Sequence, residues 1–299
     1  MLPAQPGILA PVPAYSRYLF FSVTDPWYLS DILYRLQAHV DGDSLVLGIG
    51  QTMVEGTGRG SVPGLRVFPA FTVDSVAIPS TPMALWCWLR SKEGEGPGDL
   101  LLRSQALLKL LPANVLRLEN VVDGFRHGKG LDLTGYEDGT ENPQGEEAIQ
   151  AALVQTGKPE MSGSSFVAVQ QWQHHFPSWE RFSEAEQDAI IGRRRGDNTE
   201  LEDPLPTAHI RRTAQESFNP PAFLLRRSMP WANGMASGLM FVAFAKSFDP
   251  FEAILRRMTA RDDHLSDALF EFTRPLNGSY FWCPPMQNGR LNLYPMGVW

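Results

Sequence analysis

Only two cysteines, Cys87 and Cys283, occur in 299 residues, and neither stands in a Cys-x-x-Cys or other metal-like spacing. That argues against a disulfide framework and a thiolate metal site. The two thiols read as small buried hydrophobes in a reducing cytosol, so a cytoplasmic location is expected. No apolar run approaches the roughly 20 residues of a membrane span. The N-terminus carries neither the charged region nor the apolar region of a secretory signal. Positive charge is in deficit: 26 Lys and Arg face 33 Asp and Glu, a net −7. Nucleic acid and anionic membrane are therefore poor candidates for the main partner. The six histidines form no His-x-x-x-His pair, so a zinc site is poorly supported.

What the chain does have is apolar mass, 43% of its residues, enough for a sizeable core. Residues 1–15 are proline-rich and read as a strap or arm. Tyr18 to Val23 reads as a buried strand; Asp25-Pro26 then opens a helix with Leu29, Ile32, Leu33 and Leu36 on one face. Further strands are expected over Ser44 to Gly50, Met83 to Leu89 and Val115 to Val122. An apolar helix capped by Asp99 precedes the last of these. The same grammar returns after residue 160. Strands are expected at Ser165 to Trp172, Phe223 to Leu225, Leu239 to Ala245 and Leu276 to Trp282. Ser183 and Glu186 form a capping box, and Asp249-Pro250 opens another helix. The expected fold is α+β, two ferredoxin-like modules, each an antiparallel sheet with helices packed on one face. The expected division is 1–122, a motif-bearing connector at 123–160, and 161–299.

The connector holds Gly135-Tyr-Glu-Asp-Gly-Thr-Glu-Asn-Pro143, too rich in Gly, Pro and carboxylates for a helix or central strand. It reads as a defined loop that aims Asp138, with a solvated acidic turn as the bland alternative. A calcium loop using Asp138, Thr140 and Asn142 is disfavoured, because its twelfth position is Ile149 rather than Glu. His209 lies in Ala208-His-Ile-Arg-Arg-Thr213, and on that evidence alone a structural role is favoured. Arg226 and Arg227 end an apolar run. Neighbours on a strand face opposite sides, so one can point inward, where it needs an anionic partner. His174 and His175 at a strand exit read as satisfied histidines, and Arg193–Arg195 as a solvated loop.

Together, Gly135–Pro143, Ala208–Thr213 and Leu225-Arg-Arg-Ser-Met-Pro230 resemble the motifs of the dye-decolorizing heme peroxidases. The compact form resembles their bacterial cytosolic B-type branch. The resemblance is specific from about Gly124 to Phe281; the first hundred residues match only in general pattern. It implies heme b in the second half, with His209 as iron ligand and Asp138 and Arg226 on the peroxide side. Ser228 would hydrogen-bond a distal water or peroxide, and Gly139 and Thr140 would lie against the cofactor. Asp267 is the expected acceptor for the second nitrogen of His209, with Asp263 as its rival. The implied activity uses hydrogen peroxide to oxidise aromatic dyes, phenols or similar one-electron donors through a ferryl intermediate, in a homo-oligomer. A heme carrier with little turnover is the alternative. Chlorite-degrading heme proteins share a similar fold but do not require the Gly-x-x-Asp-Gly loop. The C-terminal segment Leu291–Trp299 is not a clear match to an encapsulin-docking tail, so an encapsulin shell is left unsupported.

Overall fold

The computed structural model describes residues 3–73 and 76–298. Ten strands form one antiparallel sheet. The first half supplies β1 (Tyr15–Val23), β2 (Leu45–Ile49), β3 (Leu85–Arg90) and β4 (Leu116–Phe125). The second supplies β5 (Ser165–His174), β6 (Leu225–Arg226), β7 (Met229–Asn233), β8 (Ala236–Ala245), β9 (Thr273–Pro275) and β10 (Ser279–Cys283). In the first half the order is β2-β3-β1-β4, and in the second β10-β5-β8-β7. The halves meet through two narrow seams. One is the pairing of Ile49 with Trp282, the other that of Gly124 with Trp231. Because β5 also pairs along β8, the sheet closes on itself, with β6 and β9 as appended edges. An α+β fold with antiparallel strands is therefore observed, and closure is what the sequence pattern did not predict.

Period-two alternation explains what fills the closed sheet. Tyr18, Phe20, Trp86, Trp88, Val167, Val169, Val242 and Phe244 point inward and pack as one cluster. Trp88 stacks on Tyr18 and Trp86, and both tryptophans are fully buried. The alternate residues, among them Leu19, Phe21, Cys87 and Leu89, face outward under the helices. Both cysteines are free and fully buried, and burial pushes their thiols far above the usual range.

Helices cover much of the outer face. Leu29, Ile32, Leu33 and Leu36 make the buried stripe of α1 (Leu29–Leu36), entered through a short 3₁₀ turn that Asp25 caps at Trp27 N–H. Helix α2 (Pro97–Leu108) is capped by Gly96, three residues before the expected Asp99. Asp99 instead sits one turn in and accepts the Gly96 N–H at 2.8 Å, the return half of a capping box. In the second half follow α3 (Gly145–Ala152), α4 (Glu184–Ile191), α5 (His209–Thr213) and α6 (Asp249–Met258). Ser183 and Glu186 do form the box that starts α4. The N-terminal segment is a strap: buried Gln5 exchanges hydrogen bonds with Leu47 N and O and also donates to Pro284 O at 3.1 Å. Among the described residues, no helix is long and apolar enough to cross a membrane.

Candidate functional site

In the second half a gap opens between the outer face of β5 and β8 and the helices α5 and α6. It holds about 1040 Å³ of space free of protein atoms, part of which is open solvent. Phe241, Phe251, Ile254, Leu255 and Met258 give it apolar walls. Asp138, His209 and Arg226 all line it. Residues from three separate segments thus converge on one cavity.

His209 opens α5, just after the N-cap Ala208. Its Nδ1 lies 2.8 Å from Asp267 Oδ2, a carboxylate with a fully buried side chain. The other oxygen of Asp267 accepts the N–H of Leu269 at 2.9 Å, so the carboxylate is held from both sides. Nδ1–H therefore donates to Asp267, which fixes the tautomer and leaves the Nε2 lone pair for the cavity. Asp263 engages Arg212 instead, with both oxygens at 2.6 Å from the guanidinium.

The motif loop is held in a specific shape. Gly139 sits at φ +83°, and a Cβ there would stand 2.7 Å from Asn142 Nδ2. Asn142 bridges the loop to β6. Its Oδ1 accepts Arg226 N–H at 2.8 Å and its Nδ2 donates to Arg226 O at 3.0 Å. That two-pronged clamp puts Arg226 Nε 3.9 Å from Asp138 Oδ1. Arg226 Nε is buried and has no hydrogen-bond partner, a donor left over for something in the cavity. From the other side, Asn198 reaches Glu137 and Thr140, and Arg193 pairs with Glu141 at 2.6 Å. Arg193 is thus mostly buried and braces the loop, rather than lying in a solvated stretch as expected. Replacing Asn142 with Ala strands the Arg226 N–H, while Arg226 O keeps the Arg227 guanidinium at 3.1 Å. The expected cost is about 1–3 kcal/mol of stability, measured by urea unfolding.

Ser228 and Gly139 line a smaller neighbouring cavity, and exposed Thr140 lines neither. Ser228 Oγ accepts Val242 N–H at 3.4 Å. Sequence reasoning missed a second buried pair on the wall of the larger cavity. His174 Nε2 lies 3.0 Å from Asp132 Oδ1, and its Nδ1 lies 2.8 Å from Thr273 Oγ1. His174 is a satisfied histidine, as expected, but its place in the cavity wall had no local signal. Burial pushes the Asp132 carboxyl up; the His174 hydrogen bond and charge, with two donors from Thr134, outweigh it and hold it below its usual value. A depressed carboxyl contributes stability above its unfolded pKa and loses it as pH falls through the folded one. Asp132→Asn is therefore expected to cost about 3 kcal/mol at neutral pH. It should also flatten the acid limb of a stability curve taken from about pH 7 to about pH 3.

Does this donor set fit a metal group? Among the described residues no cluster of three or more His, Cys, Asp or Glu could hold a bare ion. A porphyrin iron asks the protein for a single axial nitrogen. One oriented imidazole, apolar walls and a guanidinium whose buried Nε has no hydrogen-bond partner satisfy that demand.

Residues 129–288 match the family model for the C-terminal domain of Dyp-type peroxidases. A dye-decolorizing peroxidase of Rhodococcus erythropolis is 28% identical over 302 residues, 95% of this chain and 87% of that protein. One from Mycolicibacterium paratuberculosis is 30% identical over 206 residues, 63% of this chain but 58% of its own length. Among solved structures, a DypB variant from Rhodococcus jostii RHA1 in complex with heme superposes with a TM-score of 0.85. It covers 93% of this chain and 95% of its own, at 24% identity, which is evidence for the fold alone.

Proposed function

The chain belongs to the dye-decolorizing family of heme peroxidases, and from that footing we propose how its own residues divide the work. His209 Nε2 holds the iron of heme b. Asp267 accepts the Nδ1 proton and makes the imidazole a stronger donor. Bound heme would supply the redox chemistry toward hydrogen peroxide and a one-electron reductant. Asp138 takes the proton from one peroxide oxygen and returns it to the other as the O–O bond opens. Arg226 supplies a fixed positive charge for the negative charge that develops on oxygen. Asn142 keeps these two side chains in register through the backbone of β6. The proposed electron donors are aromatic dyes, phenols or similar small aromatics.

The observation that carries this reading is the convergence of Asp138, Arg226 and an Asp-paired His209 on one apolar cavity. A heme carrier would need the histidine but not an acid/base carboxylate beside an arginine. Ser228, Gly139 and Thr140 are proposed to act from the rim, through water or the loop backbone. We also read each half as a ferredoxin-like module, 1–122 and 161–299 about the 123–160 connector. The matching four-strand orders support it.

The test is direct. Purified protein titrated with hemin should show a Soret band and a high-spin ferric charge-transfer band, and stopped-flow mixing with peroxide should shift the Soret band rapidly. Stable heme binding without any reaction with peroxide would favour the carrier.

A further inference from the structure

A second cavity, about 530 Å³ of space free of protein atoms and partly open to solvent, backs onto the first, and Asp138 and Arg226 line both. Its other charged and polar lining includes Arg126, His127, Arg227 and Ser228. Arg227 is the unusual member. Its guanidinium donates to two main-chain carbonyls, Leu9 O at 2.7 Å and Arg226 O at 3.1 Å. Its Nε is buried with no partner. No carboxylate pairs with it among the described residues, and the charge it feels is that of Arg90, whose own partner is Asp43. Burial first, then Arg90, pushes its pKa down to about 10. Arg126 is exposed and likewise forms no ion pair among the described residues. In a chain of net charge −7, this one cavity gathers three guanidinium groups against a single carboxylate. A half-buried guanidinium served by carbonyls alone is short of counter-charge, and a mobile anion is the remaining way to supply it.

We propose that this cavity binds a small oxyanion, held by the guanidinium groups of Arg126 and Arg227 and by the hydroxyl of Ser228. Planar guanidinium forks match the paired oxygens of carboxylate and phosphate, so both belong to the class. The Ser228 oxygen already accepts a main-chain N–H, which leaves its O–H to donate. The site is separate from the proposed heme ligand, and its occupancy does not depend on which reaction the first cavity performs.

The experiment is calorimetric titration of the purified protein, with whatever heme it carries, in a bulky zwitterionic buffer. Inorganic phosphate is one probe and acetate the other, with the Soret band followed in parallel. The expected result is saturable one-to-one binding that leaves the Soret band unmoved and weakens about tenfold or more in Arg126→Gln and in Arg227→Gln. Arg227→Lys should retain part of the affinity. Phosphate binding alone identifies a free inorganic ion as the ligand; binding of both probes identifies the carboxylate of an organic acid as an equal candidate. Should Arg227→Gln fail to fold, the exposed Arg126→Gln carries the test. Lack of saturable binding by either probe, or affinity unchanged in Arg126→Gln, overturns the proposal.

Discussion

Arg226→Leu is expected to slow the first reaction with hydrogen peroxide by about 10²–10³-fold, the usual loss for one preorganised electrostatic donor. Asp138→Asn removes a positioned acid/base group, for which about 10²–10⁴-fold is typical. These ranges overlap, so the geometry has to decide the order. Among the described residues Arg226 is the only arginine or lysine lining the larger cavity, and nothing else there replaces its charge. A proton, by contrast, can move through water, and the cavity behind Asp138 offers room for it. Arg226→Leu should therefore lose more than Asp138→Asn. Arg226→Lys should recover little, since a point charge on a flexible stem lacks the planar fork. Stopped-flow absorbance after mixing with peroxide measures all three. Near-wild-type rates in both Arg226→Leu and Asp138→Asn, with heme still bound, would sink the peroxidase mechanism. A larger loss in Asp138→Asn would keep the mechanism and reverse the order.

His209→Ala should abolish stable heme binding, and Asp267→Asn should weaken it by about 10–100-fold, the usual effect of removing a ligand's hydrogen-bond partner. The isosteric change is informative because Asp267 has two tasks. If the new amide oxygen keeps the Leu269 N–H, its NH₂ faces His209 Nδ1. Nδ1 must then accept, the imidazole proton moves to Nε2, and the lone pair meant for the iron is lost. Added imidazole should restore part of the ferric spectrum in His209→Ala and none in Asp267→Asn. Unchanged heme retention in His209→Ala would overturn the assignment of the ligand.

The parts of this site that were legible in the sequence are those where backbone chemistry leaves a local trace. Gly139 and Pro143 announce a loop. The alternation at Leu225–Arg226–Arg227 announces an inward Arg226, but Arg227, expected to reach solvent, is half-buried on the carbonyls of Leu9 and Arg226. Asp25-Pro26 and Ser183–Glu186 announce helix starts. Asp267 and Asp263, four residues apart on one irregular segment, could not be ranked from pattern, since only the packing of that segment against α5 decides which reaches His209. The Asp132–His174–Thr273 chain was invisible because its members lie 42 and 99 residues apart. Sheet closure was hidden for a related reason. Each seam rests on one residue pair, Ile49 with Trp282 and Gly124 with Trp231, too short to leave a periodic signal. Arg193 was misjudged, although Arg194 is exposed as expected, because runs of charge look the same whether they meet water or a carboxylate loop.

The strap at Gln5 bears on the order of events during synthesis. Its amide reaches Leu47, 42 residues on, but also Pro284, 279 residues on. Pro3 O likewise accepts the N–H of Met286. A ribosome adding about 5–20 residues per second exposes the first half seconds before those partners exist. The four strands of that half can pair early, while the inner faces of Trp86 and Trp88 wait for Phe244 and Phe281. Closure is then among the last long-range contacts to form, with a large loop-closure cost. Until it forms, a nascent chain displays aromatic surface, which makes this stage of translation the one at which a holding chaperone would have most to do.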